Sequence, residues 1–266
     1  MRCLFCRLDS TNSKSVEHII PESLGNTTQV LPRGVVCDRC NNYFSREIEK
    51  PFLDSPAVRS LRFHQALLSK KGKVPSLSGV ISPGMPAVVT RYPKHDLTSV
   101  SVPMEAFEKI QGLPEARLIL PAGGPPPSGS TISRFMAKVA LESMAARIVS
   151  HAEGLDYLCD ETQLDDLRNH ARRGSTRNWP VHARRIYSAD AKTFGPEGLA
   201  EQVVHESDFL VTNSGEWYFV LAIFGLELSI NLAGPEIDGY LNWLKENGDV
   251  SPLYSTKNRS AFPIPS

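Results

Sequence analysis

The sequence predicts an α+β protein. A small metal-stapled module comes first, then a larger mixed α/β domain built on a central helix and an antiparallel sheet. Three observations lead there. Two Cys-x-x-Cys pairs, Cys3/Cys6 and Cys37/Cys40, bracket 30 intervening residues, 7–36. Residues 131–151 hold a broadly apolar stretch without Gly or Pro, the pattern of a buried helix. Residues 209–212 and 217–232 are rich in strand-forming side chains and flank the turn Asn213-Ser214-Gly215.

Bulk composition narrows the class. Hydrophobic residues at 41% against 22% charged describe a folded chain and exclude a disordered one. The longest apolar candidate, 217–232, is interrupted by Gly225, Glu227, Ser229 and Asn231, so no membrane span is expected. The chain starts Met1-Arg2-Cys3 without an apolar leader, and a cytoplasmic location is expected. Five cysteines in such a chain argue against a disulfide framework, and Cys159 is expected as a small buried hydrophobe in a helix. Formal charge cancels, 29 against 29, but unevenly. Residues 1–75 carry 12 Lys+Arg and 7 Asp+Glu, so 12 − 7 = +5, and the remainder carries −5. A basic module on an acidic body suits local phosphate binding, with ordinary surface variation as the other reading.

Residues 1–55 read as the metal module, with strands at 16–20 and 30–36. From Cys40 the apolar positions Tyr43, Phe44, Ile48 and Phe52 recur at helical spacing, and Pro51 should end or bend that helix. Residues 56–73 read as a helix over 56–68, started by Ser55-Pro56, plus the basic linker Lys70-Lys71-Gly72-Lys73. That linker is equally a solvated turn. Residues 74–266 form the second domain, whose role in recognition or regulation the sequence leaves open. Its first part, 74–130, holds half of the 20 prolines and offers short strands at 87–92, 98–102 and 116–120. After the central helix come a helix over 161–173, a strand from 184, the paired strands, a helix over 235–246 and a Pro-rich tail. Leu226, Leu228, Ile230 and Leu232 alternate with polar residues, which predicts one buried and one polar face.

Four thiolates at this spacing, Cys3, Cys6, Cys37 and Cys40, can close one tetrahedral cage around zinc. An all-sulfur cage leaves no open position for water, so the expected Zn²⁺ is structural. A redox dithiol would need a thioredoxin-like unit, which the pattern lacks.

Between the knuckles lie Glu17-His18-Ile19-Ile20-Pro21 and Ser23-Leu24-Gly25, and Asn41-Asn42 follows the last cysteine. Together with the cysteines these residues resemble the zinc-bearing, four-cysteine branch of the HNH endonuclease family, over roughly residues 1–55. The resemblance implies a ββα-metal fold and hydrolysis of nucleic acid, DNA in the first instance, to a 5′-phosphate and a 3′-hydroxyl. It further implies His18 as general base and Glu17 and Asn41 as ligands of a catalytic Mg²⁺ or Mn²⁺. One feature departs from the family. Its middle Asn, which orients the imidazole, has no counterpart in 30–36; a backbone carbonyl or the more distant Asn26 would have to hold His18, and Asn42 could share the part of Asn41.

The chemistry of these side chains agrees. Imidazole titrates near neutrality and can take a proton from water. A carboxylate and an amide oxygen are hard ligands suited to Mg²⁺ or Mn²⁺. Arg39, Arg46 and Lys50 follow on the helix as candidate phosphate contacts. The structural alternatives are a solvent-facing Glu17, a satisfied core His18, a capping Asn41 and solvated basic residues. In the second domain, Arg168, Arg172, Arg173, Arg177, Arg184 and Arg185, interleaved with His170, Trp179 and His182, read either as a backbone-tracking groove or as a solvated face. The competing function is a non-catalytic zinc module that binds nucleic acid or a protein partner; oligomeric state stays open.

Overall fold

The computed structural model describes residues 1–151, 153–174, 178–194 and 199–255. Arg177 and the Pro-rich tail lie outside them. The chain packs as two units: residues 1–21, 26–52 and those from 128 onward form one, residues 22–25 and 53–127 the other.

The first unit opens with a ββα arrangement. Strand β1 (Glu17–His18) pairs antiparallel with β2 (Val30–Leu31), Glu17 opposite Leu31 and His18 opposite Val30. Both are shorter than the apolar pattern suggests. Pro21 and a 3₁₀ turn at Glu22–Leu24 stop the first. Pro32 and Gly34 stop the second. Gly34 has φ +91°, and a Cβ there would lie 2.7 Å from the Met1 sulfur, so this turn requires glycine. Helix α1 (Asp38–Phe44) follows, passes through a π turn at Ser45–Glu49 and resumes as α2 (Lys50–Asp54). Pro51 therefore does not end the helix. The π turn, closed by Lys50 N–H to the Ser45 carbonyl, sits where the proline ring would otherwise meet the preceding turn.

The second unit contains α3 (Pro56–His64), which ends before the expected 68, and strands β3 (Leu77–Ile81), β4 (Met85–Tyr92), β5 (Leu97–Ser101) and β6 (Leu118–Ile119) in the order β5-β4-β3-β6. Helix α4 (Met104–Gln111) starts after Pro103. Phe63, Val74, Leu77 and Val89 make the core here.

Back in the first unit, α5 (Gly129–Ile148) is the expected central helix, with its apolar positions buried. Helices α6 (Gly154–Asp160) and α7 (Asp165–Arg173) follow, and Cys159 is fully buried as foreseen. Strands β7 (Val181–Arg185), β10 (His205–Val211), β11 (Trp217–Ile223) and β12 (Leu226–Asn231) form an antiparallel sheet in the order β10-β11-β12-β7, beside a small β8 (Lys192–Phe194), β9 (Ala200–Gln202) pair.

The stretch 217–232 is a hairpin. Phe224 (φ +46°) and Gly225 (φ +76°) form its two-residue turn, and a Cβ on Gly225 would lie 2.2 Å from the Tyr187 carbonyl. The expected polar face of β12 is not exposed. Helix α8 (Asp238–Glu246) covers it, with Tyr240, Trp243 and Leu244 packed on Leu210, Tyr218 and Val220. Glu227 is buried there and accepts from Arg184, Tyr240 and Ser251.

Candidate active site and metal centre

The four cysteine sulfurs lie within 4.8 Å of one another, the spacing of ligands around one ion. Local backbone geometry builds the cage. Cys37 caps α1, its sulfur accepting from Cys40 N–H at 3.5 Å, and Cys37 N–H donates to the Cys3 sulfur at 3.3 Å. The first knuckle is fixed by Cys3 N–H to Leu8 and Leu4 N–H to Val35. Ionisation within the cage is uneven. The hydrogen bond with Cys40 draws Cys3 down to about 4, while Cys40 is raised by that same bond, and burial pushes Cys6 up to about 11. Four sulfurs become thiolates together only with a cation among them, which suits zinc.

The knuckle is seated on α6 and α7. Arg168 is buried and donates to the carbonyls of Leu4 and Leu158 at 2.9 and 2.6 Å. Arg7 and Arg168 share Asp165, and Arg2 pairs with Asp156 and Asp160. Arg184 and Arg185 of the C-terminal basic stretch also have partners within the fold. Arg184 bonds Glu227 and the Asp249 carbonyl, Arg185 the Phe224 carbonyl. His170 is buried, stacks on Trp179 and meets the Ser133 hydroxyl at 2.9 Å; burial lowers it to about 4.

Asp38, in the first turn of α1, accepts the backbone N–H groups of Lys14 and Ser15 and the Ser15 hydroxyl, which hold its carboxyl below the usual range. The chain is thereby delivered into β1 beside α1. Asn41 donates from Nδ2 to the Val16 carbonyl at 3.3 Å, so its amide abuts the residue before Glu17. Asn41 thus lies beside the start of β1, against the residue that precedes Glu17 and His18.

Glu17 is buried, 5% exposed, and one carboxylate oxygen meets Lys138 Nζ at 2.7 Å. Lys138, fully buried on α5, also meets Glu49 at 2.8 Å, Glu142 at 2.9 Å and the His18 carbonyl at 3.3 Å. Burial opposes the ammonium charge, but the three carboxylates outweigh it and hold Lys138 well above its usual pKa. Burial raises the Glu142 carboxyl, and Lys138 counters this only in part. Phe52 of α2 stacks on Phe135 of α5, centroids 3.7 Å apart, and Arg134 of α5 donates to the Tyr43 hydroxyl at 2.5 Å.

Asn26 does not reach the imidazole. It is buried and closes the β1–β2 loop, giving Nδ2 to the carbonyls of Ile20 and Gln29 and accepting from Thr28 and Gln29 N–H. His18 Nδ1 is buried with no hydrogen-bond partner among the described residues, and no described backbone carbonyl holds that nitrogen. Arg39, Arg46 and Lys50 are exposed on the helical run, Arg46 lying 3.7 Å from Glu47. The sequence reading missed Glu49, Lys138 and Glu142. Its one available signal was a Lys and a Glu four residues apart inside an otherwise apolar helix.

Residues 3–56 match the family model described as HNH endonuclease. The chain thus carries an HNH module, over 54 of its 266 residues. The ββα order and the four-cysteine cage agree with that match. No curated protein and no solved structure matches the chain. Among the described residues no helix is long and apolar enough to cross a membrane.

Proposed function

We propose that this protein is a metal-dependent endonuclease that hydrolyses phosphodiester bonds, with DNA as the substrate and the HNH module as the catalytic part. One observation carries the reading: inside a module that matches the family, the buried Nδ1 of His18 lacks any partner. A buried polar atom left open in a native fold marks a place where something binds. Water positioned there would lose its proton to the imidazole as it attacks phosphorus.

The surrounding residues fit a hard divalent ion, Mg²⁺ or Mn²⁺. The carboxyl groups of Glu17, Glu49 and Glu142 converge on the ammonium of Lys138 at low exposure. A carboxylate has two oxygens and can serve an ammonium and a metal ion together. With Nδ2 of Asn41 spent on Val16, its Oδ1 is the oxygen for such an ion. When bound, the ion would neutralise charge growing on the phosphate oxygens. Zinc held by Cys3, Cys6, Cys37 and Cys40 would tie the first knuckle to the start of α1 and take no part in the chemistry. Exposed Arg39, Arg46 and Lys50 supply phosphate contacts. Thiolate ligands of this kind suit a reducing compartment such as the cytoplasm.

Purified protein incubated with supercoiled plasmid and Mg²⁺ or Mn²⁺ should nick it. His18→Ala should lower the rate about 10²- to 10⁴-fold, the usual worth of a general base, with zinc retained. Equal nicking by both proteins would end the proposal. The pairing of Glu17 with Lys138 favours a second reading, a zinc module that binds nucleic acid without cutting it. That reading expects salt-sensitive binding that survives His18→Ala and is lost with Cys37→Ser.

A further inference from the structure

Lys138 belongs to α5, outside residues 3–56, yet its ammonium lies at the centre of the HNH module. An ammonium has three protons. Here they meet Glu17 of β1, Glu49 of the π turn and Glu142 one turn along α5, and the His18 carbonyl is a further acceptor at 3.3 Å. The strand bearing the Glu-His pair and the helical run bearing Asn41 are thereby fixed to one cation. A structural ion pair would have needed one carboxylate. Glu142, fully buried beside Lys138, is a partner from its own helix. Glu17 and Glu49 are then additional, and both come from the module.

We propose that Lys138 is a positioning residue of the candidate active site: from outside the HNH module it holds the Glu17 carboxylate and the His18 backbone in the arrangement that receives a divalent ion. The proposal rests on the nuclease reading above. A carboxylate that shares its charge with an ammonium keeps one orientation, as ligand-supporting groups in metal sites do, and losing such support costs about 10- to 100-fold in metal affinity. Lys138 touches neither substrate nor reacting atoms; it acts through Glu17.

The test uses the full-length, zinc-loaded protein. Mn²⁺ binding to wild type, Lys138→Met and the double variant Lys138→Met/Glu142→Leu is followed by the electron paramagnetic resonance of free Mn²⁺. The double variant also removes the buried Glu142 carboxyl beside Lys138, and it decides if the single variant does not fold. The expected result is Mn²⁺ affinity weakened about 10- to 100-fold, with kcat falling more than KM rises and zinc still at one per chain. Wild-type protein labelled with ¹⁵N-lysine supplies an independent readout: the Lys138 ammonium resonance should shift on adding Mg²⁺. Wild type that nicks plasmid, with Mn²⁺ affinity unchanged in a folded variant or a Lys138 signal indifferent to Mg²⁺, overturns this proposal and leaves the nuclease reading standing. Wild type that neither nicks nor binds Mn²⁺ overturns both.

Discussion

The four-cysteine cage and the Lys138 cluster secure different parts of one module with opposite chemistry: the cage joins the first knuckle to α1, the cluster joins β1 and the π turn to α5. In the cage, soft anionic sulfurs from two tight turns await a cation, and all four come from one 38-residue stretch, 3–40. In the cluster, the cation is a side chain of the protein, and Lys138 lies 120 residues from the His18 carbonyl it touches. The cage needs no large core, because metal binding supplies its folding energy. The lysine cluster needs α5 packed in place, since an unpaired buried charge is costly. The module therefore has an anchor of its own and a second one lent by the C-terminal part of its unit.

Substitutions in each cluster separate the two anchors. The largest effect is expected at the cage. Structural zinc contributes an apparent ~10–16 kcal/mol in small zinc domains, so Cys37→Ser should release the ion and unfold residues 3–56. Zinc content by mass spectrometry and proteolysis of the module report it; a zinc-free, protease-resistant module would refute the cage as an anchor. Next, Lys138→Ala leaves three carboxylates without their cation and should cost about 3–5 kcal/mol in denaturant unfolding, with zinc still bound. An effect near zero would mean the cluster is not an anchor.

A pH series probes the packing behind the second anchor. His170, held to about 4 by burial and by the nearby Arg134 charge, titrates near 6.5 when unfolded. The unfolded chain then binds the extra proton between these values. Stability from this group is complete above pH 6.5 and is lost as pH falls towards 4, by about 3 kcal/mol at most. His170→Gln should flatten that part of the Tm-against-pH curve; an unchanged slope would remove His170 as its source. Smallest is Cys159→Ala. Its buried sulfur contacts the Arg2 and Cys3 carbonyls at 3.9 and 3.8 Å and stands outside the cage. A loss of about 1 kcal/mol, with zinc stoichiometry unchanged, is expected; loss of zinc would draw this cysteine into the metal centre.

The comparison also explains what could be read from the sequence. The cage, the ββα order and the central helix were legible because each follows from local spacing: Cys-x-x-Cys turns, and apolar positions repeating over five turns of α5. The place of Asn41 at the start of α1 was legible from its position after the second knuckle. The lysine cluster was not, because its four groups come from β1, the π turn and α5, and no local pattern links them. The π turn was hidden by Pro51, which reads as a helix stop until a widened turn precedes it. Alternation in β12 was read as a solvent face, because nothing local tells that Tyr240 and Trp243 of α8 will cover Glu227 and Ser229. The basic run from Arg168 to Arg185 reads equally as a phosphate-tracking groove or a solvated face, and no local pattern tells that Arg168 and Arg185 bond to backbone carbonyls and Arg184 to Glu227.

The most direct test of the central claim is a crystal structure of the zinc-loaded protein soaked in Mn²⁺, with anomalous scattering collected at the zinc and manganese edges. The account predicts two separate ions, zinc within the sulfurs of Cys3, Cys6, Cys37 and Cys40, and manganese on Glu17 and Asn41 beside the His18 ring. Manganese absent from those two side chains, or zinc absent from the sulfurs, would contradict it.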